Sequence, residues 1–257
     1  MPDFFDLIGK WWKQILTITA LAIVVAVVVT LITPKKYLAV ATAAPASSFA
    51  SDRSRLFSEN IEALYSVLGT ADDLDLVIGT SKLDTVYLAV VDELKLADQY
   101  KVSEQGEARR VKVASIIKNN SKVQKSGYGE LKIQVWDKDN ERSASIANSI
   151  LTQLRNIHQE LQTVANRNTL TALASEKERL ITKTGDSTGT SDFDELIRQY
   201  QFLVNNKPPV LLTIEQARVP YAPDQPKMFR NILAAAALAF FFSVLLALVL
   251  QKRKANS

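Results

Sequence analysis

QILTITALAIVVAVVVTLITP, residues 14–34, contains no charged side chain, and neither does NILAAAALAFFFSVLLALVLQ, residues 231–251. Bases flank both stretches: Lys13, Lys35 and Lys36 around the first, and Arg230, Lys252, Arg253 and Lys254 around the second. A helix rises ~1.5 Å per residue, so about 20 apolar residues cross the ~30 Å hydrocarbon core of a bilayer. A helix buried in a soluble core rarely stays uncharged for that long. The sequence therefore predicts a two-pass membrane protein. A tail at 1–13 leads into a span at 14–34, and a central segment at 35–229 leads into a span at 230–251 and a tail at 252–257.

Two crossings put both tails on one face of the membrane. Lys10, Lys13, Lys252, Arg253 and Lys254 mark the tail side, while Lys35, Lys36, Lys227 and Arg230 lie on the other. Long loops translocate largely regardless of charge, so the tails read as cytoplasmic and the central segment as extracytoplasmic. Trp11 and Trp12, just ahead of the first span, read as interfacial anchors. A cleaved signal peptide has an apolar region of roughly 7–15 residues with a small-residue site soon after it. Here Ala41-Thr42-Ala43 and Ala44-Pro45-Ala46 lie well past the end of a longer run, so the first stretch reads as a retained anchor.

The net charge is +4, and the anchoring tails carry much of it, so no basic face for nucleic acid is implied. There are no cysteines, which removes disulfides, thiolate metal sites and cysteine catalysis. The single histidine, His158, cannot form a histidine-based metal cluster; beside Ile157 and Glu160 in a helical run, it reads as a solvated-face residue. No metal and no cofactor is expected.

Between the spans, YLAVATAAP (37–45) is β-prone. Ser51 or Asp52 then reads as the N-cap of a helix ending at Gly69, with further helices at 72–78, from about 81 through Ala97, and at 107–118. Residues 121–125, the turn Ser126-Gly-Tyr-Gly129 and residues 130–137 read as a β-hairpin, with Leu131, Ile133 and Val135 alternating toward a buried face. Trp136 reads as an edge or helix-packing residue rather than a sugar-stacking platform.

After Asp137 the period changes. Ala147, Ile150, Leu154, Ile157, Leu161 and Val164 follow a 3-4 spacing, which predicts one helix over about 139–183, ~65 Å long. Ile150, Leu154, Ile157, Leu161 and Val164 form a candidate seam, either within a hairpin or against a neighbouring subunit. A polar turn at 184–191 reverses the chain into a helix at 192–205, which makes a projecting helical hairpin over about 139–205. Pro208-Pro209 ends it, and residues 210–217 read as a returning strand. The last soluble element, 217–227, places Pro220, Pro223 and Pro226 every third residue before Lys227. That spacing suits polyproline II and reads as a rigid strut free of hydrogen bonds. The fold class is α+β: two transmembrane helices bracketing an α/β ectodomain with a long helical hairpin.

The two terminal spans, Tyr37-Leu-Ala-Val-Ala, and above all Ile214-Glu-Gln-Ala-Arg-Val-Pro220-Tyr-Ala-Pro223-Asp-Gln-Pro226-Lys227 resemble the Wzz-type polysaccharide co-polymerases. These are the chain-length determinants of bacterial surface polysaccharides. The architecture matches over essentially the whole length; the motif covers only its last portion. The resemblance implies an α/β base, a long projecting helix and a homo-oligomeric ring or bell in the bacterial inner membrane, with a periplasmic central domain. It also implies partnership with a polymerase of lipid-linked repeat units, and contact with membrane lipid and a growing glycan. Some relatives carry a tyrosine kinase after the second span. Here Lys252-Arg-Lys-Ala-Asn-Ser257 follows it, without a G-x-x-x-x-G-K phosphate loop, so autonomous kinase activity is not expected.

Asp72, Asp73, Asp75, Asp92 and Glu93 supply carboxylates, and a glycosidase needs two flanking its bond. Acids at helix starts have dipole and capping reasons, and no nucleophile elbow or metal-ligand pair accompanies them. The expectation is a non-enzyme with no catalytic residue: a length regulator for O-antigen, capsule or exopolysaccharide. The alternatives are an adaptor for a separate tyrosine kinase or exporter and, less favoured, a two-pass sensor.

Overall fold

The structure, a computed structural model, describes residues 4–46, 73–184 and 191–255, in two compact units. The helix expected between Ser51 and Gly69 and most of the turn at 184–191 lie outside the described residues.

One unit comprises residues 1–37 and 221–257. Its helices α1 (Phe4–Ile32) and α7 (Met228–Ala255) are each long and apolar enough to cross a membrane, over Gly9–Ile32 and Met228–Gln251. They pack together through Ile15, Val244 and Ala247, with Trp11 against that contact, while most of their leucines and valines face outward. Several hydroxyls along them bond back to their own helix, which satisfies them in an apolar solvent, although Thr19 Oγ1 has no partner. Thr17 Oγ1 donates to Lys13 O at 2.7 Å, Thr30 to Ala26 O at 2.7 Å and Ser243 to Phe240 O at 2.8 Å. The first helix stops at Ile32, ahead of Pro34, as expected where proline disfavours a helical conformation in the residue before it.

The other unit, Leu38–Pro220, is α/β. A four-stranded sheet runs in the order β2 (Ser121–Lys125), β3 (Leu131–Asp137), β1 (Tyr37–Pro45), β4 (Leu211–Glu215). The β2–β3 hairpin pairs Ser121 with Val135 through to Lys125 with Leu131. Its turn is closed by Ser126 N donating to Glu130 O at 2.7 Å, and Gly129 sits at φ 79°, a conformation natural to glycine. β4 pairs antiparallel with β1 across an irregularity at Thr42/Ala43. Ala39, Ala41 and Ala43 alternate into the core beside Leu131, Ile133 and Val135. Helices α2 (Asp73–Thr80), α3 (Asp84–Glu93) and α4 (Gly106–Asn119) add Leu74, Val77, Val86, Val90 and Ile117 to it. A short 3-10 turn, Leu96–Asp98, follows α3, so the third expected helix ends earlier than its apolar spacing suggests.

The long helix is present as α5, Asn140–Thr184, 45 residues and roughly 68 Å at ~1.5 Å each. Asp139 caps it, its Oδ1 accepting from Arg142 N at 2.8 Å. Its first turns build the base: Ile146, Ile150 and Leu154 are fully buried against β3 and α3. Its distal half pairs with α6 (Ser191–Asn206), where Leu170 and Leu173 meet Leu196, Tyr200 and Leu203. Lys177 pairs with Asp194 near one end and Gln159 donates to Lys207 O near the other, so the two helices run antiparallel.

The hairpin seam therefore differs from the expected one. Ile150 and Leu154 belong to the core of the base, Ile157 is half-buried against it, and Leu161 and Val164 are 55% and 42% exposed. Beyond Leu154 the inward positions are His158, Thr163, Asn166, Leu170 and Leu173. The reason is a change of partner along the helix: its first turns pack on β3 and α3 and its distal half on α6, so one stripe does not face both.

Candidate functional site at the start of the long helix

Asn148, half-buried, lies between Ala147 and Ser149 near the start of α5. Its Nδ2 donates to Ala217 O at 3.1 Å, and its Oδ1 accepts from Ala217 N at 2.8 Å. One side-chain amide thus satisfies both backbone groups of a buried residue just past β4, as a neighbouring strand would. Asn140 Nδ2 reaches Pro220 O at 3.4 Å. The first residues of the expected strut are therefore held by α5 itself.

The rest of that segment is bonded too. Lys36 N donates to Gln225 O at 3.0 Å, and Asp224 N and Gln225 N donate to Lys36 O at 2.9 and 3.2 Å. The Gln225–Pro226 peptide is cis. Pro220 and Pro226 are half-buried, whereas Pro223 and Lys227 are exposed, and Lys227 Nζ lies 3.5 Å from Asp224. The reading of 217–227 as a strut without hydrogen bonds is thus corrected. Proline removes a donor only at its own nitrogen, and the residues between the prolines found partners.

At the other side of the α5 start, Asp137 is buried and accepts from Tyr100 Oη, from Arg142 Nε at 2.9 Å and from Asp139 N at 2.9 Å. The Arg142 guanidinium sits 4.6 Å from the Tyr100 ring centroid. Burial first, then the hydrogen bond to Asp137, push the Tyr100 hydroxyl well above its ordinary pKa, so it stays a donor. The cluster ties the end of β3 to the start of α5.

Of the carboxylates weighed for catalysis, Asp75 and Asp92 form ion pairs and Glu93 accepts hydrogen bonds from neutral side chains. Asp92 receives both Nε and Nη2 of Arg110 at 2.7 Å, which hold its carboxyl below the usual range. Asp75 lies 3.3 Å from Lys125, and Glu93 accepts from Ser149 at 2.6 Å and Gln153 at 2.9 Å. Asp72 lies outside the described residues. Among the described residues, no group of three acidic or histidine side chains is placed to hold a metal ion.

His158 overturns its solvated-face reading. It is 5% exposed, with Nε2 3.0 Å from Thr80 Oγ1. Thr80 Oγ1 also lies 3.0 Å from Leu76 O, so it links the ring to the end of α2. The outward surface is apolar in places. β4 is a sheet edge on which Leu212 and Ile214 are exposed, in contrast to β2 at the opposite edge, which carries Lys122 and Lys125. Asn148 carried the one legible signal that was passed over: a polar side chain on the packed side of an amphipathic helix needs a partner. No local pattern marked Thr80 as the partner of His158.

No protein-family model and no curated protein matches the chain. Among solved structures it is similar to one described as a full-length bacterial polysaccharide co-polymerase, with a TM-score of 0.43 and 10% identity over 99% of this chain and 98% of that one. It is also similar to a fragment of WzzB, a polysaccharide co-polymerase from Salmonella Typhimurium, with a TM-score of 0.40 and 11% identity over 75% of this chain and 100% of that one. Neither likeness assigns a role to a residue here, and roles are read from this chain's own side chains.

Proposed function

We propose that the chain is a non-catalytic regulator of surface-polysaccharide length. It acts as a homo-oligomeric co-polymerase of the bacterial inner membrane, its central domain periplasmic, beside a polymerase of lipid-linked repeat units. The observation that carries the reading is the 45-residue α5. Its first turns are locked into the base by the Asn148 and Asp137 contacts, while Leu161 and Val164 remain exposed farther along. A rigid element so rooted is suited to holding neighbouring subunits or a growing chain at fixed spacing. The exposed Leu212 and Ile214 of edge strand β4 supply a second surface for a like subunit.

In this account the assembly carries out no bond chemistry. It biases when elongation stops by organising polymerase and polymer around its ectodomains. Deleting the gene and resolving the host's surface polysaccharide on a gel tests this. The expected result is polymer still made, but without a preferred length. Complete loss of polymer would support the adaptor for a kinase or exporter instead.

A further inference from the structure

The loop-side flanks of the two spans carry a charged surface of their own. Lys35 and Lys36 follow α1, Lys227 precedes α7, and Arg230 lies in its first turn. The Lys36–Gln225 bridge, bonded in both directions, joins the two flanks that carry these cations. Asp224, 3.5 Å from Lys227, is the one carboxylate between Ile32 and Met228's helix on these flanks. Lys35, Lys227 and Arg230 are exposed, and so are Tyr221 and Phe229, the latter at 82%. Bases interleaved with exposed aromatic rings suit the headgroup region, where rings lie at the acyl boundary and cations reach phosphate.

Topology gives these bases no reason to be there. Lys and Arg close to a span favour the cytoplasmic side, so that bias does not account for bases on the translocated flank. We propose that Lys35, Lys36, Lys227 and Arg230 bind the phosphate of an anionic lipid in the outer leaflet. Arg230 can grip two phosphate oxygens and the lysines act as point charges. This rests on the two-pass reading with a translocated central domain. The phosphate could belong to a bilayer headgroup or to a prenyl-phosphate carrier; both present the same chemistry.

The test uses the full chain in phosphatidylcholine vesicles doped with a spin-labelled lipid, and reads the fraction of label immobilised at the protein. The probes are phosphatidylglycerol and a long-chain prenyl phosphate, with labelled phosphatidylcholine as reference. The K35Q/K36Q/K227Q/R230Q variant is expected to lose about fivefold or more in preference for a phosphate probe, the worth of one base at a charged surface. K35R/K36R/K227R keeps the charge and should keep the preference, which separates charge from folding. Loss toward both probes supports binding of lipid phosphate in general; loss toward one alone supports that source. Equal preference in wild type and the glutamine variant overturns the proposal. No polymer enters the measurement, so its failure leaves the length-regulator reading standing.

Discussion

Asn148 shows how one side chain can decide where a segment lies. Its amide meets both backbone groups of Ala217, and replacing it with leucine of similar size leaves a buried N–H and C=O without partners. The expected cost is ~1–3 kcal/mol, seen as a lower urea midpoint for the purified full chain. Asn148→Asp keeps the acceptor for Ala217 N but sets a carboxylate oxygen against Ala217 O, so it should destabilise as well. His158 gives a second prediction. Burial lowers its pKa, so the folded chain takes up a proton at lower pH than the unfolded chain, whose histidine titrates near ~6.5. Stability is therefore whole above that pH and declines as pH falls from there toward the folded value. As the sole histidine, it is the only side chain expected to titrate in that window. Thermal melts between pH 7.5 and 5.5 (values chosen to span about one unit either side of ~6.5) should slope downward for wild type and flatten in His158→Gln. Asn148's place on the packed side showed that it needs a partner, but neither partner could be read locally: both are far apart in sequence, and a buried histidine has the same neighbours in the chain as an exposed one.

At the scale of elements, strong periodicity was legible. The alternation of Leu131, Ile133 and Val135 placed β3, and the charge-free runs placed both spanning helices. The helix expected at 139–183 is Asn140–Thr184. What periodicity hid was which partner each part of that helix meets. Ile150 and Leu161 look alike in a 3-4 stripe, yet one is in the core and the other in solvent. Leu154→Ala should cost ~2–5 kcal/mol of stability by leaving a cavity. Leu161→Lys with Val164→Lys should stay within about 0.5 kcal/mol, because exposed positions lose little. If those two residues meet a neighbouring subunit, the double variant lowers the oligomeric mass measured in detergent while its melt is unchanged. Ile214→Lys tests the β4 edge in the same way, since a charge on an exposed edge blocks strand-to-strand or side-by-side association.

At the scale of the whole molecule, the two bracketing spans and the α/β base were within reach of sequence, because burial in lipid and in a sheet impose simple patterns. The bonding of the proline-rich segment was not, because proline spacing reports backbone preference and says nothing of the residues between. The central claim is that this assembly sets polymer length without making or breaking glycosidic bonds. Its most direct test is the length distribution of the surface polysaccharide in a deletion strain and in the same strain carrying the gene on a plasmid. The account predicts a ladder without a preferred length in the first and a restored modal band at unchanged total polymer in the second. The same distribution in both strains would contradict it.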